Sequence, residues 1–345
     1  MRDIDPQPGS LDLPGPYLLF LGDTVEEGYA KTAFGLRDWA SERCVGEFAL
    51  PGASVTTGLD PLSPAAAYAR GARALVIGVA NAGGVIPKSW SGALVEALEA
   101  GLDIVSGMHA RLAAVPALAA ASARLGRRLI DVRSPPPGIQ VASGRKRSGR
   151  RLLTVGTDCA LGKKYTALAI ARGLQGRGVD AEFRATGQTG IMIAGSGIPI
   201  DAVVVDFVAG AAEMLSPDAP PEHLDVIEGQ GSLFHPAYAS VSLGLLHGSQ
   251  PDMFVVCHSP ARTRVLGHPD YRVPTIGMVI EQTVAMGKLT NPAIRCVGIS
   301  LNTSGMDEAE AEAELEAAER ATGLPAADPM RGGARFGRLL DSCAA

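Results

Sequence analysis

Short apolar runs and helix-spaced apolar positions alternate along the first part of the chain. Leu18-Leu19-Phe20-Leu21-Gly22 reads as a buried strand, and residues 31–42 follow with helical spacing. Ala74-Leu75-Val76-Ile77-Gly78-Val79 is a second strand, followed by a predicted helix over 89–100. Asp103-Ile104-Val105-Ser106-Gly107 is a third, then an alanine-rich helix around 115–125, and Arg128-Leu129-Ile130-Asp131-Val132 closes the series. Continuous apolar strands that alternate with helices predict a parallel sheet covered on both faces.

The alternation stops at Ser134-Pro135-Pro136-Pro137-Gly138, because three prolines continue neither a helix nor a central strand. A polar run over 143–151 follows, with Arg145, Lys146, Arg147, Arg150 and Arg151. We place a boundary at about 134–150, giving domains over 1–142 and 143–345. The basic run is either a solvated linker or an anion-attracting rim beside a phosphate site. A second α/β series then begins with the strand Leu152-Leu153-Thr154-Val155, a glycine loop and a helix over about 164–175. Further strand-like runs are 181–185, Ala202-Val203-Val204-Val205-Asp206-Phe207, Leu224-Asp225-Val226-Ile227-Glu228, Met253-Phe254-Val255-Val256-Cys257 and 295–300. Residues 307–321 form an acidic helix whose charged face is solvated.

Composition narrows the classes of partner. The 345 residues suffice for two ordinary domains. A formal net charge of −5 supplies no general field for nucleic acid or anionic lipid. No apolar run approaches the ~20 residues that cross a bilayer. Met1 to Gly15 is polar and proline-rich, unlike an export signal, and the 5 cysteines form no CxxC pair. A reduced, cytoplasmic setting is expected.

The glycine loop carries the strongest chemistry. Gly156-Thr157-Asp158-Cys159-Ala160-Leu161-Gly162-Lys163 lies directly between an apolar strand and a helix, as a phosphate cradle requires. Its glycines permit a tight turn that aims successive amides at one anion, the helix adds its positive end, and Lys163 adds a point charge. Five residues separate the two glycines where the common form has four, a spacing that resembles dethiobiotin synthetase and related amide-forming P-loop enzymes. The position after the lysine, where a nucleotide-hydrolysing loop carries the Mg²⁺-binding hydroxyl, is Lys164. An ammonium repels a metal, and Thr166, beyond Tyr165, faces another side of the helix. Two adjacent lysines suit phosphates that are held rather than cleaved, as in coenzyme A. ATP with Mg²⁺ is the alternative ligand, and the metal requirement stays open.

Three other segments are candidates. Glu228-Gly229-Gln230-Gly231-Ser232, at the end of a buried strand, occupies the Walker B place. Glu228 there is a general base, a metal ligand or a cap on neighbouring backbone N–H groups, and His235 on the same loop is a second candidate base or a structural histidine. Arg184-Ala185-Thr186-Gly187-Gln188-Thr189-Gly190 is expected to follow the strand beside the P-loop strand. It offers Arg184, Thr186, Gln188 and Thr189 to a substrate carboxylate, unless it is a solvated loop. Asn302 is a candidate reader of adenine or a turn residue. In the first half, the polar loops 28–32, 81–84 and 106–111 suggest a substrate or dimer surface, or plain turns; no GxGxxG fingerprint supports a dinucleotide there.

Together, Gly156 to Thr166, Ala185 to Gly190, Ile227 to Ser232 and Gly28-Tyr29-Ala30-Lys31-Thr32-Ala33 resemble a bacterial two-domain family, the D-glutamate N-acetyltransferases. The resemblance covers nearly the whole chain. It implies an α/β fold, with an N-terminal Rossmann-like parallel-sheet domain before a P-loop NTPase-like domain. It also implies acetyl transfer from acetyl-CoA to the amine of an acidic amino acid, D-glutamate; a homodimer is expected besides. Glu228, Asp158 and His235 are then the candidate catalytic groups. Residues 156–166 and Asn302 hold the cofactor, and Arg184, Thr186, Gln188, Thr189, Gly190, Gln230 and Ser232 hold the acceptor. The rival readings are an ATP-dependent ligase like dethiobiotin synthetase and a non-catalytic nucleotide sensor.

Overall fold

The computed structural model describes residue 11 and residues 13–345, so most of the proline-rich stretch 1–15 lies outside the described residues. The chain divides into two compact units, one comprising Met1–Pro135 with Gln188–Pro199, the other Pro136–Gly187 with Ile200–Ala345.

The first unit follows the expected alternation. It contains β1 (Tyr17–Gly22), α1 (Lys31–Trp39), β2 (Cys44–Ala49), α2 (Pro64–Ala69), β3 (Ala74–Ile77), α3 (Ser91–Glu99), β4 (Asp103–Ser106), α4 (Pro116–Leu125) and β5 (Leu129–Asp131). The strands form a parallel sheet in the order β2-β1-β3-β4-β5. β1 and β3 are buried throughout, which is why they read as unbroken apolar runs. Their side chains Leu18, Phe20, Leu75 and Ile77 pack with Trp90 and Leu94. β2 and α2 lacked a clear sequence signal because β2 is an edge strand and only partly buried.

The second unit begins with β6 (Arg150–Gly156), α5 (Lys163–Gln175) and β7 (Ala181–Arg184). The next helix, α6 (Gln188–Ala194), clusters with the first unit although it lies in the second half of the chain. There the Thr189 and Thr32 hydroxyls meet at 3.0 Å. The second unit then resumes with α7 (Val208–Leu215), β8 (Leu224–Ile227), α8 (Ala239–Ser249), β9 (Met253–His258), the hairpin β10 (Arg264–Val265) and β11 (His268–Arg272), α9 (Ile276–Gly287), β12 (Arg295–Leu301), α10 (Glu308–Thr322), β13 (Ala326–Ala327) and α11 (Gly333–Ala344). Its parallel main sheet has the order β13-β12-β9-β6-β8-β7. Leu152, Val226, Val255 and Val297 from four of these strands form its core with Ile170, Leu174 and Leu339.

Three expectations are corrected here. The run 202–207 is not a strand: it makes short 3-10 turns at Ile200–Ala202 and Val205–Phe207. Val204 and Val205 are 66% and 59% exposed, so apolar identity alone misled. β7 is not beside the P-loop strand, since β8 intervenes. The basic run is a solvated linker only in part, with Arg145 and Lys146 exposed but Arg147 and Arg151 buried, and it is not a rim beside the loop. It enters β6 at its N-terminal end, while the glycine loop leaves the C-terminal end of that 7-residue strand, about 20 Å away at ~3.3 Å per residue. Arg151 is fully buried and donates to the carbonyls of Arg147, Ser148, Gly149, Ser216 and Pro217. Arg147 donates to the carbonyls of Ser216 and Gly248. These guanidiniums tie loop carbonyls together, as a group with many fixed donors can.

Candidate active site

β6 delivers the loop. Thr157 N–H donates to the Cys257 carbonyl at 3.1 Å, which continues the β6–β9 ladder one step into the turn. Ala160 then takes φ +53° and Gly162 φ +103°. The first is a costly conformation for a residue with a Cβ; the second suits glycine. Such local strain is held where the backbone must curl around a ligand. α5 starts at Lys163, and the first amides of a helix have no partner within it. The Lys163 ammonium, buried, crosses the loop and donates to the Asp158 carbonyl at 2.7 Å. Burial pulls its pKa below the ordinary lysine value. Lys164 lies over the Tyr165 ring at 4.6 Å. The Thr166 hydroxyl turns into the sheet and meets the Ser300 hydroxyl at 2.7 Å.

Asp158 is fully buried and both its oxygens are engaged. Oδ1 accepts from Cys159 N–H at 2.7 Å, and Oδ2 accepts from Arg262 at 2.9 Å and from Leu266 N–H at 2.8 Å. It therefore anchors the β10–β11 hairpin to the loop. His258, at the end of β9, shares a hydrogen bond with the Thr157 hydroxyl at 2.9 Å, and burial pulls its pKa down. His258 and Arg262 were missed in the sequence. His258 was legible in principle, because it ends a buried parallel strand at the edge where ligands bind.

Glu228 follows β8 and is buried. Its Oε2 accepts from the amides of Thr186 and Gly187, both at 3.0 Å. The cap reading is thus realised by one oxygen, and Oε1 remains for other chemistry. Burial pushes the Glu228 pKa up, while the nearby Lys164 charge and the two amides oppose it. Gly229 brings this loop onto β6: its amide donates to the Thr154 hydroxyl at 2.9 Å, and a Cβ there would strike the Thr154 carbonyl. The Gln230 amide donates to the Thr186 hydroxyl, which donates to the Glu228 carbonyl. Ser232 is buried and accepts from Phe234 N–H, a local turn.

Two expected substrate or cofactor ligands are otherwise occupied. Arg184 is buried against Asp225 at 2.6 Å and also pairs with Glu182 at 2.9 Å, so its fork is not offered to an acceptor carboxylate. Asn302 Oδ1 accepts from the amide and hydroxyl of Ser304, so the oxygen that a bidentate adenine pair needs closes a turn instead. Gln188, Thr189 and Gly190 belong to α6 in the first unit. Asp158, Cys159 and His235 place one potential ligand atom each within 4.8 Å of one another. The donor set does not fit a metal as arranged. Asp158 Oδ2 already accepts two hydrogen bonds and Oδ1 one, burial pushes the Cys159 thiol pKa up, and His235 Nδ1 accepts from Ala237 N–H, which leaves the neutral ring's proton on Nε2.

Beside the loop lies a cleft of about 560 Å³. Its walls include His258 and Arg262, which touch the loop, the first turn of α9 at Thr275 and Ile276, and the α10 residues Ala317 and Ala321. The loop's own residues do not line the cleft, which meets the loop only through His258 and Arg262; its volume is that of a small-molecule site.

Fold and site together define a P-loop phosphate-binding protein that also carries a Rossmann-like unit. Residues 140–339 match a model described as "Domain of unknown function (DUF1611_C) P-loop domain", and residues 48–135 match the "DUF1611_N Rossmann-like domain". The chain belongs to this DUF1611 family. It is 49% identical over 330 residues to a D-glutamate N-acetyltransferase of Tritonibacter scottomollicae, which covers 96% of this chain and 98% of the relative. It is 47% identical over 323 residues to a D-glutamate N-acetyltransferase of a Pseudoalteromonas species, with 94% and 97% covered. The crystal structure of a DUF1611 family protein from Anabaena variabilis superposes with a TM-score of 0.83 at 35% identity, covering 95% of this chain and 98% of that one. The chain is an acyltransferase. No helix among the described residues is long and apolar enough to cross a membrane.

Proposed function

We propose that the protein moves an acetyl group from acetyl-CoA to the amine of an acidic amino acid, with D-glutamate as the acceptor. One observation carries the choice of ligand: the first turn of α5 offers no serine or threonine hydroxyl to a metal. The residue after Lys163 is Lys164, and the next aliphatic hydroxyl, Thr166, is buried against Ser300. A loop built this way favours phosphates neutralised by ammonium groups and amides over an Mg²⁺-bridged nucleotide. The names of the relatives supply the acetyl group and the acceptor.

In this reading the amides at the start of α5 and Lys163 hold the diphosphate, and the adjoining cleft receives the nucleoside. The acceptor amine is protonated near neutral pH and must lose a proton before it attacks. Glu228 is the base: it is buried, its proton affinity is raised, and one carboxylate oxygen is not used by the Thr186 and Gly187 amides. The amine nitrogen bonds to the thioester carbon and the carbon–sulfur bond breaks. The first ammonium proton leaves to solvent through Glu228; the nitrogen sheds its second to Glu228 as the amide forms, and Glu228 passes that one to the departing thiolate, so the carboxylate is regenerated and one proton is released overall. Arg184 has no part in acceptor binding, because Asp225 and Glu182 hold it.

The test is calorimetric titration of the protein with acetyl-CoA and with Mg-ATP side by side, followed by mass-spectrometric assay of D- and L-glutamate acetylation. Binding of acetyl-CoA with N-acetyl-D-glutamate as product is expected. Binding of Mg-ATP alone, with ADP released, would transfer the assignment to the ligase class.

A further inference from the structure

His235 lies in a loop after β8 and is 2% exposed. Its Nδ1 accepts a hydrogen bond from Ala237 N–H at 3.1 Å. A backbone amide can only donate, so Nδ1 carries the lone pair and the neutral ring's proton sits on Nε2. That Nε2 is buried and has no hydrogen-bond partner among the described residues. Asp158 Oδ1 is 3.9 Å away, beyond hydrogen-bond reach, and already accepts from Cys159 N–H. The ring is fixed by its neighbours: Tyr238 packs on it at 4.5 Å, and His268 meets it edge-on at 5.1 Å. A buried donor left without an acceptor is costly unless something else supplies one. Here the donor lies 3.9 Å from Asp158 of the phosphate loop.

We infer that His235 is a neutral hydrogen-bond donor to a phosphate oxygen of the ligand held in the glycine loop, and not a proton-abstracting base. A base would need its lone pair on Nε2. That would put the proton on Nδ1, against the Ala237 amide. The donor role needs no change of tautomer: the backbone sets it, the ring is clamped, and the partner arrives with the ligand. The inference rests on the reading of the loop as the site for coenzyme A phosphates.

Two variants separate this donor from a merely structural role. His235→Phe and His235→Gln both remove the Nδ1 acceptor, so both leave Ala237 N–H without its partner and cost the fold similarly. Only glutamine restores an N–H donor near the position of Nε2. Calorimetry with coenzyme A, which carries the phosphates but no acetyl group, is the readout, alongside thermal unfolding of each variant. The expected result is a loss of affinity of about 10- to 100-fold in H235F, the range for one charge-assisted hydrogen bond. H235Q should recover most of that loss at a similar unfolding temperature. Equal coenzyme A affinity in the two variants overturns the inference and makes His235 a clamp for its own turn. Unchanged coenzyme A affinity with a fall in kcat confined to H235F also overturns it, because the donor would then serve the thioester carbonyl. If the unaltered protein binds no coenzyme A, the reading of the loop fails first and this inference with it.

Discussion

The carboxylate of Asp158 and the guanidinium of Arg262 meet at 2.9 Å, with Asp158 fully buried and the Arg262 side chain 28% exposed. The pair joins the phosphate loop to the segment that leads into the β10–β11 hairpin, and Leu266 N–H reinforces it on the same oxygen. Removing one partner of a buried pair leaves the other uncompensated. Asp158→Ala, which abandons the donors of Arg262, Leu266 and Cys159, should cost about 3–5 kcal/mol of stability. Arg262→Ala should cost less, about 2 kcal/mol, because the arginine is partly solvated and two amides still hold the carboxylate. Urea unfolding of both variants checks the order. An Arg262 variant as stable as the parent would mean that the hairpin does not depend on this latch.

Lys163 supplies charge at the centre of the loop, and its ammonium already bridges to the Asp158 carbonyl. Replacing it removes a charge-assisted contact to a phosphate, so Lys163→Ala should weaken coenzyme A binding by about 1.5–3 kcal/mol. Isothermal titration reads this directly. Undiminished affinity would show that the phosphates lie elsewhere.

Much of this architecture is legible in the sequence, and the failures have physical reasons. β1, β3, β4, β6 and β9 are buried on both faces, so they announce themselves as apolar runs. The loop at 156–163 is equally plain, since glycine, lysine and a strand-to-helix junction are local features. What is not local was misread. Arg184 looks like a carboxylate binder until β8 places Asp225 at 2.6 Å from it. Asn302 looks like a base reader until Ser304 folds back onto its oxygen. The arginines at 147 and 151 look solvated because no short-range pattern reveals that loop carbonyls from 216–217 will surround them. The hairpin that carries Leu266 was passed over because β10 has only 2 residues and β11 is mostly exposed.

The Arg184–Asp225 pair belongs to a network that makes stability depend on pH. His223 Nδ1 is 2.9 Å from Asp180, and its Nε2 is 3.2 Å from Asp225 and 3.9 Å from Glu182, with Arg184 on the far side of the same carboxylates. The hydrogen bond to Asp225, then that to Asp180, outweigh burial and raise the His223 pKa to about 9. The folded value lies above the unfolded one of about 6.5. This contribution is therefore complete below pH ~6.5 and is lost as pH rises through ~9. Its size is on the order of 2 kcal/mol, since Asp180 is largely solvated. Unfolding free energies measured from pH 6 to 10 should fall across that window in the parent and stay flatter in His223→Gln. Identical slopes in the two proteins would remove His223 from the pH response.

Glu228 and Lys164 make the last prediction, and it concerns rate. A buried carboxylate whose pKa stands above the ordinary range is protonated, and useless as a base, at low pH. kcat/KM should therefore rise as pH increases through the Glu228 pKa, with the midpoint above the usual carboxylate value of about 4.3. Glu228→Gln should lower turnover by roughly 10²- to 10⁴-fold, leave coenzyme A affinity unchanged and abolish that acid limb. Lys164 holds the pKa down by its charge, so its removal must raise it. Lys164→Met should therefore shift the acid limb toward higher pH, beyond any loss of affinity. A carboxylate that merely caps the Thr186 and Gly187 amides would lower stability when replaced but leave the limb in place. A Glu228→Gln enzyme that keeps its acid limb, or a Lys164→Met enzyme whose limb does not move, would assign proton removal to another group.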